Sequence, residues 1–154
     1  MKNQQKLGGW EELVCPFFAP VSRRVLGHYL ESNGFAEKGL NEIGGLMFSR
    51  FGVFLEISYE LDTAPDYALS MVVGTGEKKY DVGGHPCCVP YWYLLPRDRP
   101  EHRGESISFK TETDLEALLV RFRDQFLEPY AKHLWLNLDT LEKVIANFRA
   151  EFSC

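Results

Sequence analysis

The chain has 154 residues, 45% of them apolar and 14% aromatic, with a formal net charge of −5. A domain of that length buries roughly two-thirds of its unfolded surface, so its fold requires no disulfide or metal staple. The acidic balance argues against general nucleic-acid binding, which needs a basic face to displace counterions. No stretch approaches the ~20 apolar residues of a membrane-spanning helix.

Residues 1–9 read as a loose lead-in without the apolar run of a secretory signal. With no export signal, Cys15, Cys87, Cys88 and Cys154 are expected to be reduced thiols, and the chain to be cytoplasmic. The first helix is expected over Phe17–Asn33. Val21, Val25, Leu26, Tyr29 and Leu30 recur at helical spacing, with Ser22, Arg23, Arg24 and Glu31 opposite. Pro16 suits a first turn, Pro20 argues for a slightly later start, and Gly34 suits a left-handed stop.

The middle of the chain reads as β. In VFLEISYEL (53–61), Val53, Leu55, Ile57, Tyr59 and Leu61 alternate with Phe54, Glu56, Ser58 and Glu60. That is period two over a whole strand, with one apolar face and one mostly polar face. GLMFSR (45–50) supplies a partner strand through a tight turn at Phe51–Gly52, and ALSMVV (68–73) a third strand. A fourth falls in 79–83 or in 87–95, and Phe35–Lys38 adds a short edge strand. The polar set on 53–61 predicts an antiparallel sheet wet on one side. PRDRPEHRGES (96–106) reads as an exposed loop.

The last third is helical. Thr111 with Asp114, or Thr113 with Glu116, makes a capping box, and Leu115, Leu118, Leu119, Phe122 and Phe126 form an apolar stripe. Pro129 is expected to interrupt near Glu128 and to begin a short segment, PYAKHLW. Asp139 with Glu142 signals the last helix, whose stripe is Leu141, Val144, Ile145, Phe148 and Phe152. The order helix, sheet, helices gives an α+β fold. We expect an antiparallel meander of four to five strands, with the N-terminal helix and the C-terminal helices on one face, in a single domain over 1–154.

Chemistry concentrates in YDVGGHPCCVPYWYLLP (80–96). On a strand, His85 and Cys87 would point the same way, roughly 7 Å apart. A zinc site needs three or four ligands, and no CxxC or HxxxH pair supplies the others, so no metal and no cofactor is assigned. The plainer reading makes Gly83-Gly84 a turn and Cys87 and Cys88 small buried hydrophobes. Residues 89–95 are open to two readings, strand or helical turn, because both alternating sets are apolar. If both faces are covered, Tyr91, Trp92 and Tyr93 are core; if one is open, they form a recognition patch.

Cys15 stands at a helix start, where free N–H groups favour a thiolate, but His28 lies about three turns away along the same helix, too far to serve as its base. Glu56 and Glu60 should have Cα atoms about 13 Å apart, whereas glycosidase carboxyls stand roughly 5–9.5 Å apart. The glycine pairs match neither GxxxxGK[ST] nor GxGxxG, and GxSxG is absent. No catalytic set is therefore assigned.

Three functions follow. The first is a non-enzymatic interaction protein that docks another, basic, protein through an acidic patch of Glu56, Glu60, Asp62 and Asp66 and through Tyr91, Trp92 and Tyr93, with no nucleic-acid or membrane partner. The layout resembles that of small bacterial α+β proteins, some of which neutralise secreted toxins, and an inhibitor or immunity role would use that charge. The alternative is a small-ligand binder or enzyme with a sheet–helix pocket lined by Tyr59, His85, Cys87 and His133. The third is a structural homo-oligomer module.

Overall fold

The structure, a computed structural model, describes residues 14–61, 66–76, 79, 82–84, 87–95 and 107–152. Its elements run α1 (Phe18–Ser32), β1 (Ala36–Leu40), β2 (Leu46–Arg50), β3 (Val53–Leu61), β4 (Tyr67–Thr75), β5 (Cys88–Pro90), a 3₁₀ turn (Tyr91–Leu94) and β6 (Ser108–Phe109). The helices α2 (Glu112–Phe122), a π-helical stretch (Arg123–Ala131), α3 (Lys132–Trp135) and α4 (Leu138–Phe152) complete it. The fold is α+β, an antiparallel sheet with helices on one face, as the order of elements predicts.

The sheet runs β1-β2-β3-β4-β5, and β6 adds to β4. β3 and β4 pair in register from Val53↔Thr75 to Leu61↔Tyr67. The β2–β3 connection is the two-residue turn Phe51–Gly52, with φ values of +39° and +83°. Two positive φ values are what a hairpin turn of this length requires to match the strand twist. β1 is the outer edge, and its register slips between Glu37 and Gly39. Such a bulge, with charged Glu37 and Lys38 beside it, discourages a further strand from adding there. β5 and β6 share the other edge of β4. β5 pairs Val72–Gly74, β6 pairs Tyr67 and Ala68, and Leu69, Ser70 and Met71 fall between the two pairings, with Leu69 N–H donating to Ile107 C=O.

One face of the sheet carries Leu46, Phe48, Val53, Leu55, Ile57, Tyr59, Leu69, Met71, Val73 and Val89, all 3% exposed or less. They meet the buried stripe of α1 (Phe18, Val21, Leu26, Leu30) and that of α2 (Leu115, Leu118, Leu119, Phe122). α1 ends as Gly34 predicts: with φ +88° there, Gly34 N–H donates to Glu31 C=O and Phe35 N–H to Leu30 C=O. This paired closure satisfies the last carbonyls of the helix. α2 opens on the Thr111–Asp114 capping box.

Two expectations are corrected. Pro129 does not break the helix; it lies inside the π-helical stretch, which leads into α3. A proline ring crowds the carbonyl four residues back in an α-helix, and the wider i→i+5 turn relieves that contact. The cap of α4 is Asn137, whose Oδ1 accepts from Thr140 N–H at 3.2 Å, and Asp139 lies in the first turn. β6, only two residues long, extends the sheet at a place where no strand is expected from the sequence. The 1–9 lead-in, the 96–106 loop and Cys154 lie outside the described residues.

One hydroxyl joins the start of α1 to the β1–β2 connection. Cys15 N–H donates to Tyr59 Oη at 2.7 Å, and that hydroxyl donates to Ile43 C=O. Tyr59 is 1% exposed and packs on Phe18 with ring centroids 4.8 Å apart. Replacing Tyr59 by Phe keeps the packing but strands the Cys15 amide and the Ile43 carbonyl. Urea unfolding is expected to show a loss of about 1–3 kcal/mol, and a change under about 0.3 kcal/mol would contradict this role.

Candidate functional site

The second face of the sheet is not uniformly wet. Phe54, Glu56 and Ser58 are 2%, 7% and 7% exposed, whereas Glu60 is exposed. A carboxylate taken out of water is costly unless it is paired and hydrogen-bonded. Glu56 has both kinds of partner: Lys79 Nζ lies 2.9 Å from Oε1, and Asn41 Nδ2 donates to Oε2 at 3.1 Å.

Those partners come from two connections that fold over the sheet. Asn41 accepts from Ile43 N–H at 3.0 Å and Gly45 N–H at 2.7 Å through its Oδ1, and its Nδ2 donates to Ser58 Oγ at 3.0 Å. Gly45 must be glycine in this arrangement, because a Cβ would come 2.5 Å from Ser58 Oγ. Lys79 is tied to β5 by Cys87 N–H, which donates to its carbonyl at 2.7 Å. Nearby, a Cβ on Gly74 would meet the Phe54 ring at 2.5 Å and the Cys87 carbonyl at 2.6 Å, so that end of the face is closed by contact.

Beside this covered half lies a cleft of about 460 Å³. Among the described residues its charged lining groups are Glu56, Glu60 and Lys79; Ser70 and Val72 line the sheet side, and Tyr91, Trp92 and Phe148 also border it. The volume is in the range of roughly 300–1,000 Å³ typical of small-ligand sites. The 3₁₀ turn after Pro90 explains why the aromatics separate. Tyr91 is 3% exposed and packs on Phe122 and Phe126, with centroids at 4.9 and 5.8 Å. Trp92 and Tyr93 are half-buried and turn to the end of α4. There Trp92 meets Phe152 at 5.8 Å, Tyr93 meets Phe148 at 5.0 Å, and the Tyr93 hydroxyl donates to Glu151. Phe152 remains 53% exposed.

The acidic patch is thus only partly assembled. Glu56 is buried and paired, a correction to its expected place on a wet face. Glu60 is open, and its side chain makes no ion pair among the described residues. Asp66 stands 3.7 Å from Lys110 Nζ. Asp62 lies outside the described residues. What the structure does bring together, across elements remote in sequence, is Glu60 with Trp92.

The alternative sheet–helix pocket does not form from its described members. Tyr59 is in the core, held by Cys15 and Ile43. Cys87 lies at the other edge, where Arg149 Nη2 donates to its Sγ at 3.8 Å. His133 is exposed on α3, and His85 lies outside the described residues. The Cys15 thiol is pushed up by burial, against the smaller opposing pull of the Phe17 and Phe18 amides, and His28 is exposed. A nucleophilic thiolate would require the opposite shift. Burial likewise raises the Cys88 thiol to about 11, with the Lys79 ammonium acting against it. Cys15, Cys87 and Cys88 form no disulfide. Among the described residues there is no group of three metal-ligating side chains, and no helix is long and apolar enough to cross a membrane.

No family model matches the sequence, and neither the curated proteins nor the solved structures contain a match to it.

The burial of Glu56 makes its two partners unequal. Lys79 is 44% exposed and can be solvated alone, but Glu56 cannot. Lys79→Met is therefore expected to lower stability by about 3 kcal/mol and Glu56→Gln by about 1 kcal/mol, read from chemical denaturation. Equal losses, or a larger loss for Glu56→Gln, would show that the carboxylate is not buried.

Proposed function

We propose that the chain is a non-enzymatic interaction protein that docks a basic partner protein through the cleft and the rings beside it. The observation that carries this reading is the half-open aromatic cluster of Trp92, Tyr93, Phe148 and Phe152, continuous with a cleft in which Glu60 stands free. Aromatic side chains anchored on one side and open on the other are what protein interfaces use as energetic centres. The net charge of −5 gives a long-range attraction toward a basic surface. An enzyme is less well supported, because the described imidazoles, His28 and His133, are exposed while the Cys15 thiol and the Tyr59 phenol are buried. The finer reading, an inhibitor or immunity protein that neutralises a basic toxin in the cytoplasm, follows from the same charge sign.

A photo-reactive amino acid placed at position 152 tests this in living cells. The expected product is a cross-link to one basic protein whose association rate with the purified chain falls about tenfold between roughly 50 and 500 mM salt. Absence of any specific cross-link, or a rate indifferent to salt, would overturn the proposal.

A further inference from the structure

Among the described residues the cleft has three charged lining groups, Glu56, Glu60 and Lys79. Glu56 and Lys79 neutralise each other at 2.9 Å. One negative charge is left over, and it belongs to Glu60, whose side chain makes no ion pair among the described residues. An anionic ligand would meet this carboxylate, while Lys79 is already held by Glu56. A neutral ligand would bury Glu60 without a counter-charge, which is unfavourable.

The remaining walls suit a cation on an apolar stem. The half-buried Trp92 and Phe148 border the cleft, and the electron-rich face of a ring, of indole most of all, attracts ammonium and guanidinium groups. Ala68, Val72, Pro90 and Ile107 add aliphatic surface at which methylenes of a long side chain can pack. Ser70, on the stretch of β4 between its pairings with β5 and β6, brings a hydroxyl that can accept a hydrogen bond.

We propose that the cleft is the socket for an arginine or lysine side chain of the partner protein, with Glu60 as its counter-ion and Trp92 as its stacking surface. This rests on the interaction reading above and names the group that the cleft receives. The guanidinium or ammonium enters beside Glu60, its stem lies along Val72 and Pro90, and Phe152 stays outside the cleft to meet the partner's surface. Glu60 supplies the charge match, while Glu56 and Lys79 shape the floor without taking part in the exchange of ions.

The test uses the full chain with its tryptophan indoles labelled for NMR and Trp92 assigned by Trp92→Phe. The probes are the N-acetyl methylamides of arginine and lysine, with those of citrulline and norleucine as neutral counterparts, all at fixed ionic strength. The expected result is a saturable shift of the Trp92 indole signal with the charged probes, at least about tenfold weaker with the neutral ones. Glu60→Gln should weaken the charged probes about tenfold, and Glu60→Lys should abolish the shift, while the amide spectrum of each variant remains that of the folded chain.

No saturable shift, equal binding of citrulline and arginine, or an unaltered affinity in Glu60→Gln would overturn the socket. The two readings fail separately. If the charged probes bind through Glu60 but no protein is cross-linked at position 152, the cation site stands and the protein partner falls. If a basic protein is cross-linked but Glu60→Gln leaves its affinity unchanged, the interaction stands and the socket falls.

Discussion

A buried carboxylate on the sheet face turned away from α1 and α2 is the constraint on which the arrangement of this protein depends. Glu56 cannot lose its water without replacement partners, and the two it has lie 15 residues before it and 23 after it: Asn41 and Lys79. Each belongs to a connection rather than to a strand. Asn41 shapes the turn between β1 and β2 through its side-chain Oδ1, and Lys79 is tied to the start of β5 through its bond from Cys87. One charge therefore draws a residue from each of two connections over the same half of the sheet. Phe54, Ser58 and Cys88 are buried with it. The half that is not gathered, around Glu60, Ala68 and Ser70, becomes one side of the cleft.

The opposite face needs no such device. Leu55, Ile57 and Tyr59 meet helices along their whole length, and apolar burial of roughly 25 cal/mol per Å² suffices to hold that interface. The Tyr59 hydroxyl on that face is saturated by Cys15 and Ile43 and serves to orient rather than to bind. The division of labour follows from this. The helix-covered face is filled, and recognition is left to the other face and its margin, where the 3₁₀ turn after Pro90 sets Trp92 and Tyr93 against α4.

The alternation of 53–61 makes the inner face legible in the sequence because period two is a local property of the strand. The fate of its outer face is not legible there. Whether Glu56 is wet depends on Asn41 and Lys79, and neither carries a motif. Phe54 among the polar set is the one local sign that something covers that face. The run 89–95 is ambiguous for a physical reason: a strand that turns into a 3₁₀ helix after Pro90 changes period in mid-course, so Tyr91 enters the core while its neighbours do not. Pro129 misleads because proline rules are rules for the α-helix, and a π-helical stretch relaxes them. The aromatic and acidic groups of the candidate site are each visible in the sequence. Their meeting is not, because β3, the turn after β5 and α4 converge only in the folded sheet.

Glu56 is interred and Glu60 is open, although both belong to the same face of one strand. Carbodiimide labelling of the native chain, read by peptide mass spectrometry, tests it most directly. The account predicts rapid labelling of Glu60 and protection of Glu56 that disappears on unfolding. Labelling of both residues at the same rate in the native chain would contradict it.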